Sequence, residues 1–569
     1  MAPALNDDMP EVKKRLSELR PSITALVTGL RWKGESVQDT AERLIPLLNV
    51  GSLQQWALVL VPHILEIDRA GNLLPVWQEI IEREDPTDLP PDANPAETMI
   101  GRARRFAVLM LGNYKSLEPS EQNLPLGFSK QNKQNSKKTY KGSEIAQFLG
   151  KLAIDPNTSL YATQSLVKQG TTAALQALIS ALKDAEGWAK VDIVEACLKL
   201  NQPSLNELLL ASGLDRANGL ESYIAVPIYR SLPLERYLRD GDEIAPHLSQ
   251  QAALIFSQIL QDSMGNMRAG TNTLPIVFEG NLTALAHALF EGARNVSSWQ
   301  HVIALHRLGL LLGRYWADIS RGMVQDSRIV QPVYTCLPLM PEIERWMDGP
   351  GRDVLLAALE SSEEEAFTPT VKVLTELRDP RTVSILLAYL DAPPELTDRE
   401  QAVRLGQACD TLGRIGDSRV IPPMLQLGGR VLNVEARAAR PKRRDNLVAG
   451  DPDIPGSVVY VAVIRAFGQL NDRNSTLDFI VRAANDFDPY VRTQALEGLK
   501  LLDPTGEDMR NRTAVREALN DLRDTVVRVA CQLAGQYHDT DAIPALRHLL
   551  ETRPELAPLA NNALRQLGQ

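Results

Sequence analysis

A small residue followed four positions later by an apolar one, usually leucine, returns along this chain at nearly even spacing. It reads ATQSL from Ala162, ACLKL from Ala196, ACDTL from Ala408, VIRAF from Val463, ALEGL from Ala495, ACQLA from Ala530 and ANNAL from Ala560. The intervals are 34 residues from Ala162 to Ala196, 32 from Val463 to Ala495, 35 from Ala495 to Ala530 and 30 from Ala530 to Ala560. Periods of that length indicate stacked pairs of helices. Each pair buries one face against its neighbours, so the stack is stable only as a whole.

The clearest unit is RLGQACDTLGRIGDSRVIPPMLQL at 404–427. Ala408, Cys409, Leu412 and Ile415 fall on one side of a 3.6-residue helix. Gly416 then accepts the left-handed conformation that ends a helix, and Asp417 caps the next one by taking its free amide hydrogens. Pro422 falls in the first turn of that second helix, where no amide donor is needed. Two dozen residues thus spell a helical hairpin.

With DPYVRTQALEGL from Asp488, DTVVRVACQLAGQYHDTDAIPAL from Asp524, LGRIGDSRVIPPML from Leu412 and DPNTSLYATQSLVKQGTTAALQALISALKD from Asp155, the sequence resembles the bacterial HEAT repeats also called PBS-lyase HEAT-like. The resemblance covers roughly 144–210 and 365–569. It implies an all-α fold, an α-solenoid of stacked antiparallel helix pairs wound as a right-handed superhelix. It also implies a structural ladder between repeats drawn from Asp488, Arg492, Asp524 and Arg528. On activity it is nearly silent, because the architecture hosts unrelated functions.

Elsewhere the pattern fails. At 569 residues the chain is too long for one compact core, and 5% aromatic content suits helices packed through Leu, Ala, Val and Ile. Residues 1–114 read as helices without the repeat grammar, either divergent repeats or a cap. The stretch 115–143 is rich in Lys, Asn, Gln and Ser and reads as a flexible linker. Residues 211–364 read as irregular helices that hold Trp299, Tyr315, Trp316, Tyr334 and Trp346; packing explains these rings more readily than a partner pocket. Within the C-terminal repeats of 365–569 a basic insertion occupies 428–457 and carries Arg437, Arg440, Lys442, Arg443 and Arg444. Long insertions in compact proteins are functional or disordered, and these five residues form the sharpest candidate contact site. The net charge is −10; setting aside +5 from 430–444 and +4 from 115–142 leaves −19 on the rest, a body to which the basic loop could equally adhere.

No catalytic or cofactor-binding constellation is legible. Four cysteines lack metal or redox spacing, and Cys197, Cys409 and Cys531 each follow an alanine in equivalent repeat positions, as helix contacts. His301 with His306 and His538 with His548 miss the i, i+4 spacing of a zinc pair. Phosphate-binding loops and nucleophile elbows are missing from the sequence. The glutamates at 360 and 363–365 read as a solvated face. The N-terminal residues lack the pattern of a secretory signal, and the strongest apolar run, 56–65, falls short of the ~20 residues that span a bilayer. A cytoplasmic protein without membrane insertion is expected.

The expected function is therefore a non-enzymatic scaffold or adaptor that binds a protein or peptide on the concave face lined by the second helix of each repeat. Helices beginning near Ser418, Thr476 and Asp541 would line that face. Two alternatives are an enzyme like the HEAT-type bilin lyases or DNA glycosylases, and nucleic-acid binding through the basic insertion, which the acidic body opposes.

Overall fold

Gly416 ends the helix Arg399–Ile415 with φ of 83°, and the Asp417 carboxylate accepts the backbone N–H of Arg419 at 2.9 Å. The chain reverses into a 3-10 turn, Ser418–Val420, and continues as the helix Ile421–Leu432. This hairpin is the building unit of the computed structural model, which describes residues 9–49, 53–69, 71–83, 98–114, 142–239, 244–268, 278, 281–361, 363–391, 399–432 and 455–569. All regular secondary structure among them is helical. The five basic residues Arg437, Arg440, Lys442, Arg443 and Arg444, and the lysine-rich stretch up to Lys141, lie outside the described residues.

By its contacts the chain divides into two units, Met1–Val296 with Arg307–Met340, and Ser297–His306 with Pro341–Gln569. In the second unit the helices form two layers. Glu364–Leu377, Arg399–Ile415, Pro455–Leu470, Pro489–Leu502, Asp524–Gln536 and Ala557–Gln566 each pack on the next and make the first layer. Arg352–Glu360, Arg381–Asp391, Ile421–Leu432, Arg473–Ala483 and Met509–Ala518 do the same in the second, and each also leans on the first-layer helix that follows it. This is a stack of antiparallel helix pairs, the α-solenoid arrangement.

Amphipathic spacing drives the stacking. In Pro489–Leu502 the buried positions are Pro489, Val491, Ala495, Leu496, Gly498, Leu499 and Leu502, one continuous helical face. Small residues let backbones approach: a Cβ on Gly413 would lie 2.5 Å from Ala466 Cα, and one on Gly406 would lie 3.4 Å from Ala462 Cβ. Hence Arg399–Ile415 and Pro455–Leu470 pack tightly, although the basic insertion separates them in sequence.

The first unit stacks in the same alternating way. Met9–Thr28, Leu53–Ile67, Met99–Leu111, Ser159–Gln169, Gly187–Leu200 and Glu221–Ser231 pack in succession, while Val37–Leu47 pairs with Leu74–Glu82 and Gly142–Leu152 with Thr172–Asp184. Its less usual feature is Lys190, fully buried, whose ammonium donates to Leu182 O in the last turn of Thr172–Asp184. A cation satisfies a free carbonyl at the negative end of a helix.

Two turns, one in each unit, share the pattern Asp-x-x-Gly. Asp68 and Asp503 are buried, and each carboxylate accepts the N–H groups four and five residues on: Asn72 and Leu73 at 2.8 Å each, Glu507 at 3.1 Å and Asp508 at 3.0 Å. Gly71 and Gly506 take φ of 73° and 65° and return an N–H to the carbonyl of the same aspartate. A tyrosine completes each turn differently. Tyr114 donates its hydroxyl to Asp68 Oδ2 at 3.2 Å and accepts Trp77 Nε1–H at 3.2 Å. The Tyr537 ring instead lies against Gly506, where a Cβ would come within 2.3 Å of it, and its buried hydroxyl has no hydrogen-bond partner among the described residues.

The four cysteines are buried. Burial pushes the thiol of Cys197 up to about 12 and that of Cys531 up to about 11. Among the described residues no helix is long and apolar enough to cross a membrane.

Candidate partner-binding cleft

The run from Glu360 to Glu365 straddles a break between helices. Arg352–Glu360 ends at Ser361, whose N–H reaches Ala357 O at 3.0 Å and whose hydroxyl reaches Ala358 O at 2.7 Å. Glu363 then stands at the N-cap position of Glu364–Leu377 without a side-chain capping bond, and Glu364 and Glu365 lie in the first turn. Negative charge there meets the positive end of the helix dipole.

This break opens a cleft of about 550 Å³ in the second unit. Its walls are the neighbouring second-layer helices Arg352–Glu360 and Arg381–Asp391, and Glu364–Leu377 of the first layer contributes Phe367. Phe367 and Tyr389 face each other with ring centroids 5.1 Å apart and planes inclined by 38°. Ser384, Ile385 and Ala388 extend the wall along Arg381–Asp391, and Arg404 reaches in from the start of Arg399–Ile415.

Three carboxylates line the cleft, and two are held in place. Glu363 Oε2 accepts the Trp299 indole N–H at 3.2 Å, and Glu364 Oε2 accepts Arg404 Nη2 at 3.2 Å. Glu400 takes the same Arg404 nitrogen at 2.7 Å, so the guanidinium is already shared between two acids. Glu360 makes no ion pair or hydrogen bond among the described residues. Counting Glu360, Glu363 and Glu364 against Arg404 leaves two negative charges on the lining. The Tyr389 hydroxyl is pushed above its ordinary value by burial; Arg404 opposes the shift and Glu364 adds to it.

The ladder residues are distributed over different partners. Asp488 caps Pro489–Leu502 by accepting the Tyr490 N–H at 2.9 Å. Arg492 makes a fork with Asp521 of the next repeat, Nε at 2.6 Å and Nη2 at 2.9 Å, and Asp524 meets Arg553 at 3.3 Å. Arg528 is exposed and forms no ion pair among the described residues. Arg516 repeats the Arg492 geometry one step on, gripping Asp539 at 2.7 and 2.6 Å.

A second device carries a sequence signal that is easily passed over. Asp326, Asp379, Asp417 and Asp508 each stand two residues before an arginine, accept its backbone N–H at 2.9 to 3.0 Å and are clasped by its guanidinium. Arg381 and Arg510 also reach back to Asp353 and Asp478 on the preceding second-layer helix. Bonding to Arg510 holds the Asp508 carboxyl down at about 2.

The five rings of the irregular region differ in exposure, and Trp346 is half-buried. Trp299 and Tyr315 are buried, while Trp316 and Tyr334 form an exposed edge-to-face pair with centroids 5.5 Å apart. His301 is buried against Ser298, Nδ1 to Oγ 2.7 Å, and burial pushes its imidazole down to about 4. His306 lies 2.8 Å from Glu376.

No family model and no curated protein matches the chain. Among solved structures, a crystal structure of a Kap121p mutant is similar at 13% identity with a TM-score of 0.31. The match covers 97% of this chain and 57% of that one, so this chain spans little more than half the length of its counterpart.

Proposed function

We propose that this chain is a non-enzymatic scaffold or adaptor that binds a protein or peptide partner on its second-helix layer, built from repeats of the PBS-lyase HEAT-like kind. The observation that carries the reading is the cleft between Arg352–Glu360 and Arg381–Asp391, with an aromatic pair inside it and free carboxylate charge on its lining. Such a cleft is an anchor point: interface energy concentrates where a side chain fills a desolvated pocket. A stable interface needs some 1,200 to 2,000 Å² of total buried area, and the successive second-layer helices offer continuous surface on which an anchored chain can extend.

Site-specific photocrosslinking tests this. A photoreactive amino acid at exposed Ser384, on the cleft wall, is expected to capture a protein from the native host, with the crosslink mapped by mass spectrometry. A probe at Ser384 that captures no protein, under conditions where probes elsewhere on the chain do, would remove the cleft from the reading.

A further inference from the structure

We propose that the cleft takes the side chain of a lysine or arginine carried on an extended segment of the partner. The inference rests on the scaffold reading and names the partner's chemistry at its anchor point.

An apolar anchor seated in the cleft would cover the carboxylates of Glu360 and Glu363 and give them nothing, and burying an ionised carboxylate without a partner is costly. An acidic anchor would meet net negative charge. Arg404 does not reverse this, because Glu364 and Glu400 already share its guanidinium.

A basic side chain meets both halves of the site. Its alkyl stem packs on apolar surface while its charged head stays with polar groups, and here the apolar part is Phe367, Tyr389 and Ile385. Its head finds Glu360, which has no partner, and Glu363, whose second oxygen no protein donor occupies among the described residues while Trp299 fixes the first. The exposed part of the aromatic pair adds a cation–π attraction. The cleft is open to solvent between two parallel second-layer helices, so a chain can lie across it and lower one side chain in.

The probes are three fluorescein-labelled peptides of equal length, one alternating Lys and Gly, one Glu and Gly, and one Leu and Ser, titrated with the full-length protein at 150 mM salt. The Lys peptide is expected to bind and the other two not. The double variant Glu360→Gln/Glu363→Gln should weaken the Lys peptide at least tenfold, and Tyr389→Leu at least threefold, with unchanged circular dichroism and melting temperature. Equal binding to wild type and to both variants would overturn the proposal and assign attraction to the acidic surface at large. Binding that appears only after residues 433–454 are excised would also overturn it, giving the site to the chain's own basic segment. A protein captured at Ser384 whose contacting residue is neither Lys nor Arg would sink this inference and leave the scaffold reading standing.

Discussion

The turns at Asp68 and at Asp503 share a backbone and differ in what surrounds it. In the first unit the tyrosine hydroxyl is wired to the carboxylate, and an indole N–H is wired to the tyrosine. In the second, the tyrosine supplies its ring as a lid over the glycine, and its hydroxyl has no hydrogen-bond partner among the described residues. The tyrosine thus joins one turn by hydrogen bonds and the other by close packing, while Asp503 takes its further polar bonds from Asn511 Nδ2 at 2.6 Å and Arg473 at 3.4 Å. A repeat fold can thus keep a junction while changing what its tyrosine contributes, because the local carboxylate-to-amide bonds do the same work in both.

The largest expected effect tests the packing side of that contrast. Gly506→Val places a β-branched residue at φ of 65° and drives its Cβ into the Tyr537 ring. Strain and overpacking together should cost about 4 kcal/mol, read as a lowered urea midpoint. Gly71→Ala, at φ of 73°, should cost only about 1 kcal/mol for its conformation. Equal losses would erase the distinction.

An acid titration sharpens the comparison next, because the second unit also buries an imidazole. His301 is held near 4 in the folded protein, below the ordinary 6.5, so folding favours its neutral form. Its contribution is complete above pH 6.5 and is lost as pH falls toward 4; the shift corresponds to on the order of 3 kcal/mol. Stability measured from pH 7 to 4 should decline, and His301→Gln should flatten the decline. A wild-type profile flat across that window would contradict the burial.

The smallest effect is the most discriminating. Tyr114→Phe removes a hydroxyl that both gives and receives a hydrogen bond, and should cost about 1.5 kcal/mol in thermal or urea melts. Tyr537→Phe removes a buried hydroxyl with no protein partner among the described residues, and should change stability by less than about 0.5 kcal/mol or raise it. The opposite ranking would mean that the two tyrosines have been assigned the wrong roles.

Much of this was legible beforehand where one helix carries the signal. Ala408, Cys409 and Leu412 announce a buried face, and Gly416 with Asp417 announces the hairpin, because capping and amphipathicity are local. The stacking of 9–111 was harder to read: small residues do stand four positions before apolar ones there, as Ala41 with Ile45 and Ala107 with Leu111, all buried, but Trp77, Phe106 and Leu60 share the packing and the rest of the repeat grammar is missing from the sequence. The cleft was hidden too. Glu360, Phe367, Tyr389 and Arg404 come from four helices, and a run of glutamates read alone is indistinguishable from a solvated face until the rings are placed beside it. Arg492 shows a finer limit: its register was visible, but its partner, Asp521, lies a whole repeat away.

The abutment of Gly413 on Ala466 has a consequence for how this chain can vary. The helices on either side of the basic insertion are already married to each other through their own described residues, so their register is set by direct contact and not by closeness in sequence. Lengthening a flexible connection between two fixed ends costs only logarithmically in chain entropy, roughly 0.6 kcal/mol per doubling. That junction is therefore where the molecule can gain, lose or exchange sequence, or accept a grafted domain, while its architecture carries on undisturbed.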